Sequence, residues 1–160
     1  MNIALIIAGG KGQRMQQEIP KQFLNVNDKP IIIYTLEHFQ KHPEIDAIEV
    51  VCLEGWHDIL WAYAKQFGID KLKWVITGGD TAQESIRNGV LELQGVCKPE
   101  DIVVIHDGIR PLVEDFVLTD VMVQCKKHGN AVTSLPYNEQ IFVTGDGETT
   151  TQYVPRDTTI

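Results

Sequence analysis

Residues 3–24 read IALIIAGGKGQRMQQEIPKQFL, and this stretch decides the fold class. The apolar run of residues 3–8 stops abruptly at Gly9 and Gly10. A short, fully apolar run bounded by glycines is typical of a buried strand in a parallel sheet. Three cations follow the glycine pair: Lys11, Arg14 and Lys21. Since glycines let backbone N–H groups approach an anion closely and cations neutralise its charge, the stretch predicts a phosphate-binding loop.

The rest of the chain alternates strand and helix patterns. The further strand patterns cover residues 47–53, 73–77, 102–105 and 131–135. The helical patterns begin at Pro30 and continue at residues 57–67, 81–93 and 114–128, and Thr81 with Glu84 predicts a capping box. This alternation predicts an α/β fold with a Rossmann-like, mostly parallel sheet and helices on both faces.

The end of the chain has a different pattern. Residues 140–144 and 149–154 flank Asp146-Gly147, a dipeptide that favours a tight hairpin turn. The segment is too polar for a core, so we expect a β-hairpin arm that projects from the domain. We therefore predict one domain over residues 1–160, with the arm at about residues 136–157.

Composition narrows the class of protein. The chain of 160 residues has a formal net charge of −8, which argues against nucleic acid as a partner. The three cysteines are far apart and form no CxxC, which favours reduced thiols over disulfides or zinc. Met1 leads directly into a strand and no apolar run is long enough to span a membrane, so we expect a cytoplasmic protein without a membrane partner.

Two more unusual loops follow predicted strands. One is GGDTAQES at residues 78–85, and the other is HDGIRP at residues 106–111. Ligands of such sheets bind at the carboxyl ends of the strands, so we expect all three loops to meet at one edge. A carboxylate at a strand end, such as Asp107, suits Mg²⁺ and ribose hydroxyls, although it could instead cap the next segment.

Standard nucleotide motifs do not fit. The P-loop pattern GxxxxGK[ST] is absent, and Met15 occupies the third glycine position of a GxGxxG. The residue sequence alone also leaves other roles open. Ser85 could face a ligand or the core, Arg110 could bind phosphate or form a surface ion pair, and His106 is expected to be packed rather than catalytic.

Four motifs in order over residues 3–113 give a more specific indication: AGGKGQRM, PKQFL, GGDTAQESIRNG and VVIHDGIRPLV. They resemble those of the methylerythritol-phosphate and ribitol-phosphate cytidylyltransferases, in the nucleotide-diphospho-sugar transferase superfamily. The resemblance implies that CTP and a polyol phosphate give a CDP-alditol and pyrophosphate. The two candidate acceptors are 2-C-methyl-D-erythritol 4-phosphate, for isoprenoid precursors, and D-ribitol 5-phosphate, for teichoic acid or capsule.

The resemblance also implies roles for residues of the first loop. Arg14 and Lys21 would stabilise the transition state at the α-phosphorus. The residues that would surround the CTP phosphates are Gly9, Gly10, Lys11 and Gly12.

The other loops take the remaining implied roles. The residues that would contact cytosine and ribose are Ala8, Gly79, Asp80 and Ser85. Asp107 would bind Mg²⁺, the implied cofactor, and contact the nucleotide. Arg110 would hold the acceptor phosphate, and the arm would form a homodimer that brings Arg156 to the partner's acceptor site.

The chain departs from the family pattern in three places. HDGIRP stands where the family more often has HDAARP or HDAVRP, and LPYNEQIF stands where it has a DTI-type segment. Family members continue past the position of Ile160, so we expect this chain to lack the C-terminal part of the family domain. Two alternatives stay open: a sugar-phosphate nucleotidyltransferase that uses another nucleoside triphosphate, and a catalytically silent nucleotide-binding subunit.

Overall fold

The computed structural model describes residues 1–10, 19–135 and 141–155. The strands of this part are β1 (Asn2–Ala8), β2 (Asn25–Val26), β3 (Lys29–Pro30), β4 (Ala47–Cys52), β5 (Leu72–Thr77), β6 (Ile102–Asp107), β7 (Ile141–Thr144) and β8 (Thr150–Val154). The helices are α1 (Ile31–Lys41), α2 (His57–Gln66), α3 (Ala82–Leu93) and α4 (Asp115–His128), with a short 3-10 helix at Lys21–Phe23.

The central sheet has four parallel strands in the order β5-β4-β1-β6. β1 lies in the interior, and all of its residues from Ile3 to Ile6 are completely buried. A strand buried on both sides needs apolar residues at every position, which explains the unbroken run in the sequence. The parallel sheet with helices on both faces confirms the predicted fold class.

The two faces of the sheet bury different residues. On the first face, Ala4, Ile6 and Val50 pack in a large cluster with apolar residues of α1, α2 and α4. On the second face, Ile3 and Ala47 pack with Leu93 of α3.

Gly89 brings α3 close to the second face. A Cβ at position 89 would lie 2.5 Å from Leu5 Cδ1 and 3.0 Å from Val51 Cγ2. These separations are shorter than van der Waals contact, so glycine is required for the approach of α3 to the sheet.

Most element boundaries follow the sequence. Thr81 caps α3: its side chain accepts from the Glu84 N–H, and Glu84 in return accepts from the Thr81 N–H, so the predicted capping box is confirmed. Gly129 ends α4 in the left-handed conformation, with φ of 87°. All three cysteines are free thiols, as expected, and burial raises the pKa of Cys52 to about 11.

The predicted strand at residues 131–135 is wrong, because these residues form neither helix nor strand. Val132 and Leu135 are 87% and 83% exposed. A strand needs a neighbour for its backbone hydrogen bonds, and residues 131–133 border an apolar groove along β6 instead of pairing with it.

The predicted hairpin is formed by β7 and β8, which pair antiparallel. Gly147 has φ of 79°, the left-handed conformation that the turn requires. Asp146 organises the turn by accepting hydrogen bonds from Thr149 and Glu148, and these bonds hold the pKa of its carboxyl well below the usual range. Gln140, where we expected the first strand to begin, lies outside the described residues.

Candidate active site

The strands of the parallel sheet end together at one edge. The register pairs Ile7 with Asp107, Ala8 with Cys52, and Cys52 with Thr77. The loops after β1, β5 and β6 therefore share the carboxyl edge, as predicted. From β1 the chain adds β4 and β5 on one side of the sheet and then β6 on the other side. An α/β sheet binds its ligands in the crevice at such a switch in strand order.

The loops after β1 and β5 are in direct contact. A Cβ on Gly9 would lie 3.3 Å from Gly78 Cα and 3.3 Å from Ser85 Oγ. Gly78 in turn donates its N–H to the Cys52 carbonyl over 2.9 Å, which ties the loop after β5 to the end of β4. The two glycines let two backbones meet at the ligand edge, where side chains would separate them.

The loop after β5 is held by the first turn of α3. Ser85 is 3% exposed, and its Oγ accepts the Gly79 N–H over 3.1 Å. A Cβ on Gly79 would lie 2.3 Å from the Glu84 Cβ, so this position also needs glycine. Asp80 is exposed beside this turn. The N-terminus of α3 thus lies at the same edge as the glycine loop, where its dipole favours an anion.

The PKQFL segment forms the 3-10 helix beside the glycine loop. Lys21 is half-buried, while Gln22 and Phe23 are buried. The ring of Phe23 stacks on Trp56, with 4.6 Å between ring centroids. Gln22 Nε2 donates to the carbonyls of Ala8 and Gly10 over 2.7 and 3.2 Å. Gln22 lies inside the PKQFL motif, but the sequence alone did not indicate its role.

Asp107 and Arg110 pair with each other at the end of β6. Arg110 Nε lies 3.1 Å from Asp107 Oδ2, and both side chains are largely exposed. Gly108, between them, donates its N–H to Ile7 O, and its carbonyl accepts the hydroxyl of the buried Thr35. A Cβ on Gly108 would lie 3.1 Å from Ala8 Cβ, so this loop is packed tightly against the end of β1.

His106 and Lys29 also have structural partners. His106 Nε2 lies 2.9 Å from the Arg110 carbonyl, and its ring packs on Phe39 at 5.2 Å, in line with the expectation that it is packed. Lys29, the next lysine in the sequence after Lys21, forms an ion pair with Glu37 at 2.7 Å.

The predicted site residues divide into two groups. Those that the structure places at the carboxyl edge or in its supporting loops are Ala8, Gly9, Gly10, Lys21, Gly79, Asp80, Ser85, Asp107 and Arg110. Those that lie outside the described residues are Lys11, Gly12, Arg14 and Arg156.

A buried acid lies away from this edge. Glu49, in the middle of β4, is completely buried, and its two carboxylate oxygens have no hydrogen-bond partner in the described part of the chain. Burial, with a smaller contribution from Glu92, raises its pKa to about 7. It lies on the second face with Ala47, so it belongs to the packing and not to the ligand edge.

Glycine loops in contact, a capped helix N-terminus, a lysine and a carboxylate meet at the carboxyl edge of this sheet. This arrangement is typical of an α/β protein that binds a phosphorylated ligand. The family model for "2-C-methyl-D-erythritol 4-phosphate cytidylyltransferase" (IspD) matches residues 2–157, and the chain belongs to this family.

Curated relatives carry two names. The chain is 59% identical over 158 residues to the "Ribitol-5-phosphate cytidylyltransferase" of Lacticaseibacillus paracasei, covering 99% of this chain and 68% of that protein. A protein of the same name from Vibrio parahaemolyticus is 48% identical, covering 92% of this chain and 62% of the relative. The "2-C-methyl-D-erythritol 4-phosphate cytidylyltransferase" of Clostridium novyi is 35% identical, and the match covers 89% of this chain and 60% of that protein. The chain thus spans about two thirds of the length of these relatives.

Solved structures share the fold. The Francisella tularensis 2-C-methyl-D-erythritol 4-phosphate cytidylyltransferase has 27% identity and a TM-score of 0.72, covering 98% of this chain and 67% of that one. The Anaerococcus prevotii 4-diphosphocytidyl-2C-methyl-D-erythritol synthase has a TM-score of 0.77 at 21% identity, covering 98% and 64%. No helix in residues 1–10, 19–135 and 141–155 is long and apolar enough to cross a membrane.

Proposed function

We propose that this chain transfers the cytidylyl group of CTP to D-ribitol 5-phosphate, giving CDP-ribitol and pyrophosphate. The contact of Gly9 with Gly78 and Ser85 at the carboxyl edge supports a nucleotide site. The choice of acceptor rests on similarity, since relatives named for ribitol 5-phosphate are 59% and 48% identical and the relative named for methylerythritol phosphate is 35% identical. The CDP-ribitol would then be made in the cytoplasm for the synthesis of teichoic acid or capsule.

The reaction needs charge neutralisation more than proton transfer. An acceptor phosphate oxygen, already anionic, attacks the α-phosphorus of CTP, and the bond to the pyrophosphate oxygen breaks. Lys21, half-buried beside the glycine loop, neutralises the charge on the five-coordinate phosphorus together with Arg14. The backbone N–H groups of the loop bind the phosphates, and the N-terminus of α3 adds a favourable dipole.

Magnesium is part of the proposal, with Asp107 as its protein ligand. Mg²⁺ in nucleotide sites is commonly held by one or two carboxylates and by substrate phosphates. The Asp107 carboxylate fits this pattern: it ends β6 beside the glycine loop, and its side chain is 46% exposed. No cluster of three or more metal-binding side chains occurs in the described part of the chain. Phosphate oxygens of CTP and water would complete the coordination of the ion. The ion would neutralise phosphate charge.

Arg110 lies beside Asp107, the proposed metal ligand, and is the proposed ligand of the acceptor phosphate. In the structure its guanidinium pairs with Asp107. We infer that Arg110 exchanges this partner for the acceptor phosphate, whose charge is greater. Arg156 of a second copy would complete the acceptor site.

A homodimer through the hairpin follows from the same proposal. Phe142 and Tyr153 pack ring to ring at 5.8 Å, and each stays about half exposed, at 50% and 48%. Exposed aromatic residues on a projecting hairpin suit an interface. Sedimentation should show a dimer that Phe142→Ser weakens, and a monomeric wild-type chain would remove this part of the proposal.

The central test is a pyrophosphate assay with CTP, Mg²⁺ and a panel of polyol phosphates. We expect release with ribitol 5-phosphate and little with methylerythritol phosphate. Release with UTP or GTP in place of CTP would support a nucleotidyltransferase of other specificity. CTP binding in a calorimeter without release would indicate a silent subunit.

A matched pair of lysine variants tests the role of Lys21. Lys21→Ala should reduce turnover by about 10²–10³-fold, as the loss of one preorganised donor to a transition-state oxyanion does elsewhere. Lys29→Ala removes the next lysine in the sequence, which is paired with Glu37, and it should leave turnover almost unchanged. Equal rates in the two variants would refute the assignment.

A further inference from the structure

Gln22, the glutamine of the PKQFL segment, bonds to the backbone of the glycine loop. Gln22 is 1% exposed, and its Nε2 donates to Ala8 O over 2.7 Å and to Gly10 O over 3.2 Å. These two carbonyls lie on either side of Gly9. One side chain therefore holds the backbone of the loop at two points.

The orientation of this amide is determined by its surroundings. Both groups that it faces are carbonyl acceptors, so only the NH₂ side of the amide can point toward them. The Oε1 atom is then left buried without a hydrogen-bond partner among the described residues, which is unfavourable. A leucine of similar size would avoid that cost but would leave two loop carbonyls unbonded. The role of the glutamine is therefore to bind the loop.

The two bonds also orient the N–H groups of the loop. In a trans peptide the carbonyl of one residue and the N–H of the next point in opposite directions. Because the Ala8 carbonyl is directed at Gln22, the Gly9 N–H is directed away from it. Within the described part of the chain, a Cβ on Gly10 would meet nothing within 4 Å.

The element that carries Gln22 is itself fixed. Phe23 is 4% exposed and stacks on Trp56, and the Phe23 N–H donates to Pro20 O over 2.9 Å. A side chain on a rigid element positions a site more accurately than one on a free loop.

We propose that Gln22 is a positioning residue that holds the Ala8–Gly10 backbone in the conformation that binds the nucleotide phosphates. This inference rests on the proposed function, since it names CTP as the ligand that the loop receives. Gln22 acts through the backbone and has no direct contact with the reacting atoms.

The test compares two glutamine-to-leucine variants. Gln22→Leu should raise the KM for CTP about tenfold or more and lower kcat, while the KM for the acceptor stays unchanged. The control is Gln40→Leu, because Gln40 Oε1 accepts the Lys71 N–H over 2.8 Å before β5, at the opposite edge of the sheet. Gln40→Leu should lower the melting temperature and leave both KM values at the wild-type level.

Gln22→Glu is a second variant of nearly the same size, for use if the leucine variant does not fold. An ionised glutamate cannot donate to the Ala8 and Gly10 carbonyls, whereas a protonated one can donate to one of them. Burial raises the pKa of such a carboxyl, so protonation should restore a donor as pH falls. The activity of Gln22→Glu relative to wild type should therefore increase severalfold when the pH is lowered from about 8 to about 6. A relative activity that does not change with pH would contradict the proposal.

Amide hydrogen exchange separates this inference from the proposed function. Gln22→Leu should accelerate exchange at Gly9 and Gly10 without any nucleotide, and Gln40→Leu should not. Unchanged exchange with an unchanged KM for CTP would overturn the role of Gln22. If the wild-type protein releases no pyrophosphate from CTP, the proposed function fails, and accelerated exchange would still show that Gln22 holds the loop.

Discussion

The two faces of the central sheet are packed to very different degrees. Among the described residues, the first face buries a cluster of 20 residues with α1, α2 and α4. The cluster on the second face has three members, Ile3, Ala47 and Leu93, and Leu5 and Val51 are also completely buried there beneath α3. On the first face Ile6, Ile48 and Val50 are completely buried. On the second face Ile105 is 47% exposed.

The two faces therefore contribute differently to the free energy of unfolding. The first face supplies most of the apolar burial, which is the main favourable term in folding. It also supports the site, because Thr35 and Phe23 pack there and contact the ligand-edge loops. The second face holds Glu49, an acid without a partner in the described part of the chain, and the fold accepts that cost. Substitutions on the first face should therefore have the larger effects.

The largest effect is expected for Phe39→Ala. Phe39 is completely buried between α1 and the first face, and its removal leaves a large cavity. We expect the free energy of unfolding to fall by about 3–5 kcal/mol, measured by urea denaturation. Phe116→Ala is the control, since Phe116 is 72% exposed on α4, and it should change stability by less than about 0.5 kcal/mol. Similar losses in the two variants would contradict the division between buried and exposed packing.

The next effect is a pH dependence caused by Glu49 on the second face. Its pKa is raised from 4.5 to about 7 in the folded chain, so between these values the folded state binds one proton more than the unfolded state. The free energy of unfolding should therefore fall by about 3 kcal/mol as pH rises from about 4.5 to about 7, and this contribution should not change above pH 7.

Two variants check the source of this dependence in urea titrations at several pH values. Glu49→Gln should abolish the fall, because no ionisable group remains. Glu92→Gln removes the smaller contribution from charge repulsion and should weaken the fall only in part. A Glu49→Gln chain with the wild-type slope would show that another group is responsible.

A smaller effect is expected where the first face supports the ligand edge. Thr35 is completely buried, and its hydroxyl donates to the Gly108 carbonyl over 2.9 Å. Thr35→Val leaves that carbonyl unbonded and should cost about 1–3 kcal/mol, measured by thermal unfolding. Thr35→Ser keeps the hydroxyl and should retain most of the stability. A valine variant as stable as wild type would mean that the bond contributes nothing.

The parts of the fold that the sequence predicted are those with local signals. Apolar runs and helical spacing located the four sheet strands and the four helices, and the pair Thr81 and Glu84 located the start of α3. The pattern at residues 131–135 failed because strand formation depends on a partner, which a local pattern cannot reveal.

The site was predictable only in part for a similar reason. The motifs placed Asp107 and the glycine loops at one edge, since parallel strands end together. The contacts of Gln22 with the loop and of Arg110 with Asp107 depend on side-chain directions, which one sequence does not supply. Nor could a pattern show that Glu49, inside an apolar strand, has no partner among the described residues.

The smallest effect is the most direct comparison of the two faces, because it removes the same methyl group from each. Ile48→Val on the first face should cost about 0.5–1.5 kcal/mol, since Ile48 is completely buried in β4. Ile105→Val on the second face should cost less than about 0.5 kcal/mol, because Ile105 is 47% exposed. Replicate urea titrations on both variants can resolve the difference. If Ile105→Val were the more costly change, the second face would be more tightly packed in solution than its exposure indicates, and the comparison of the faces would reverse.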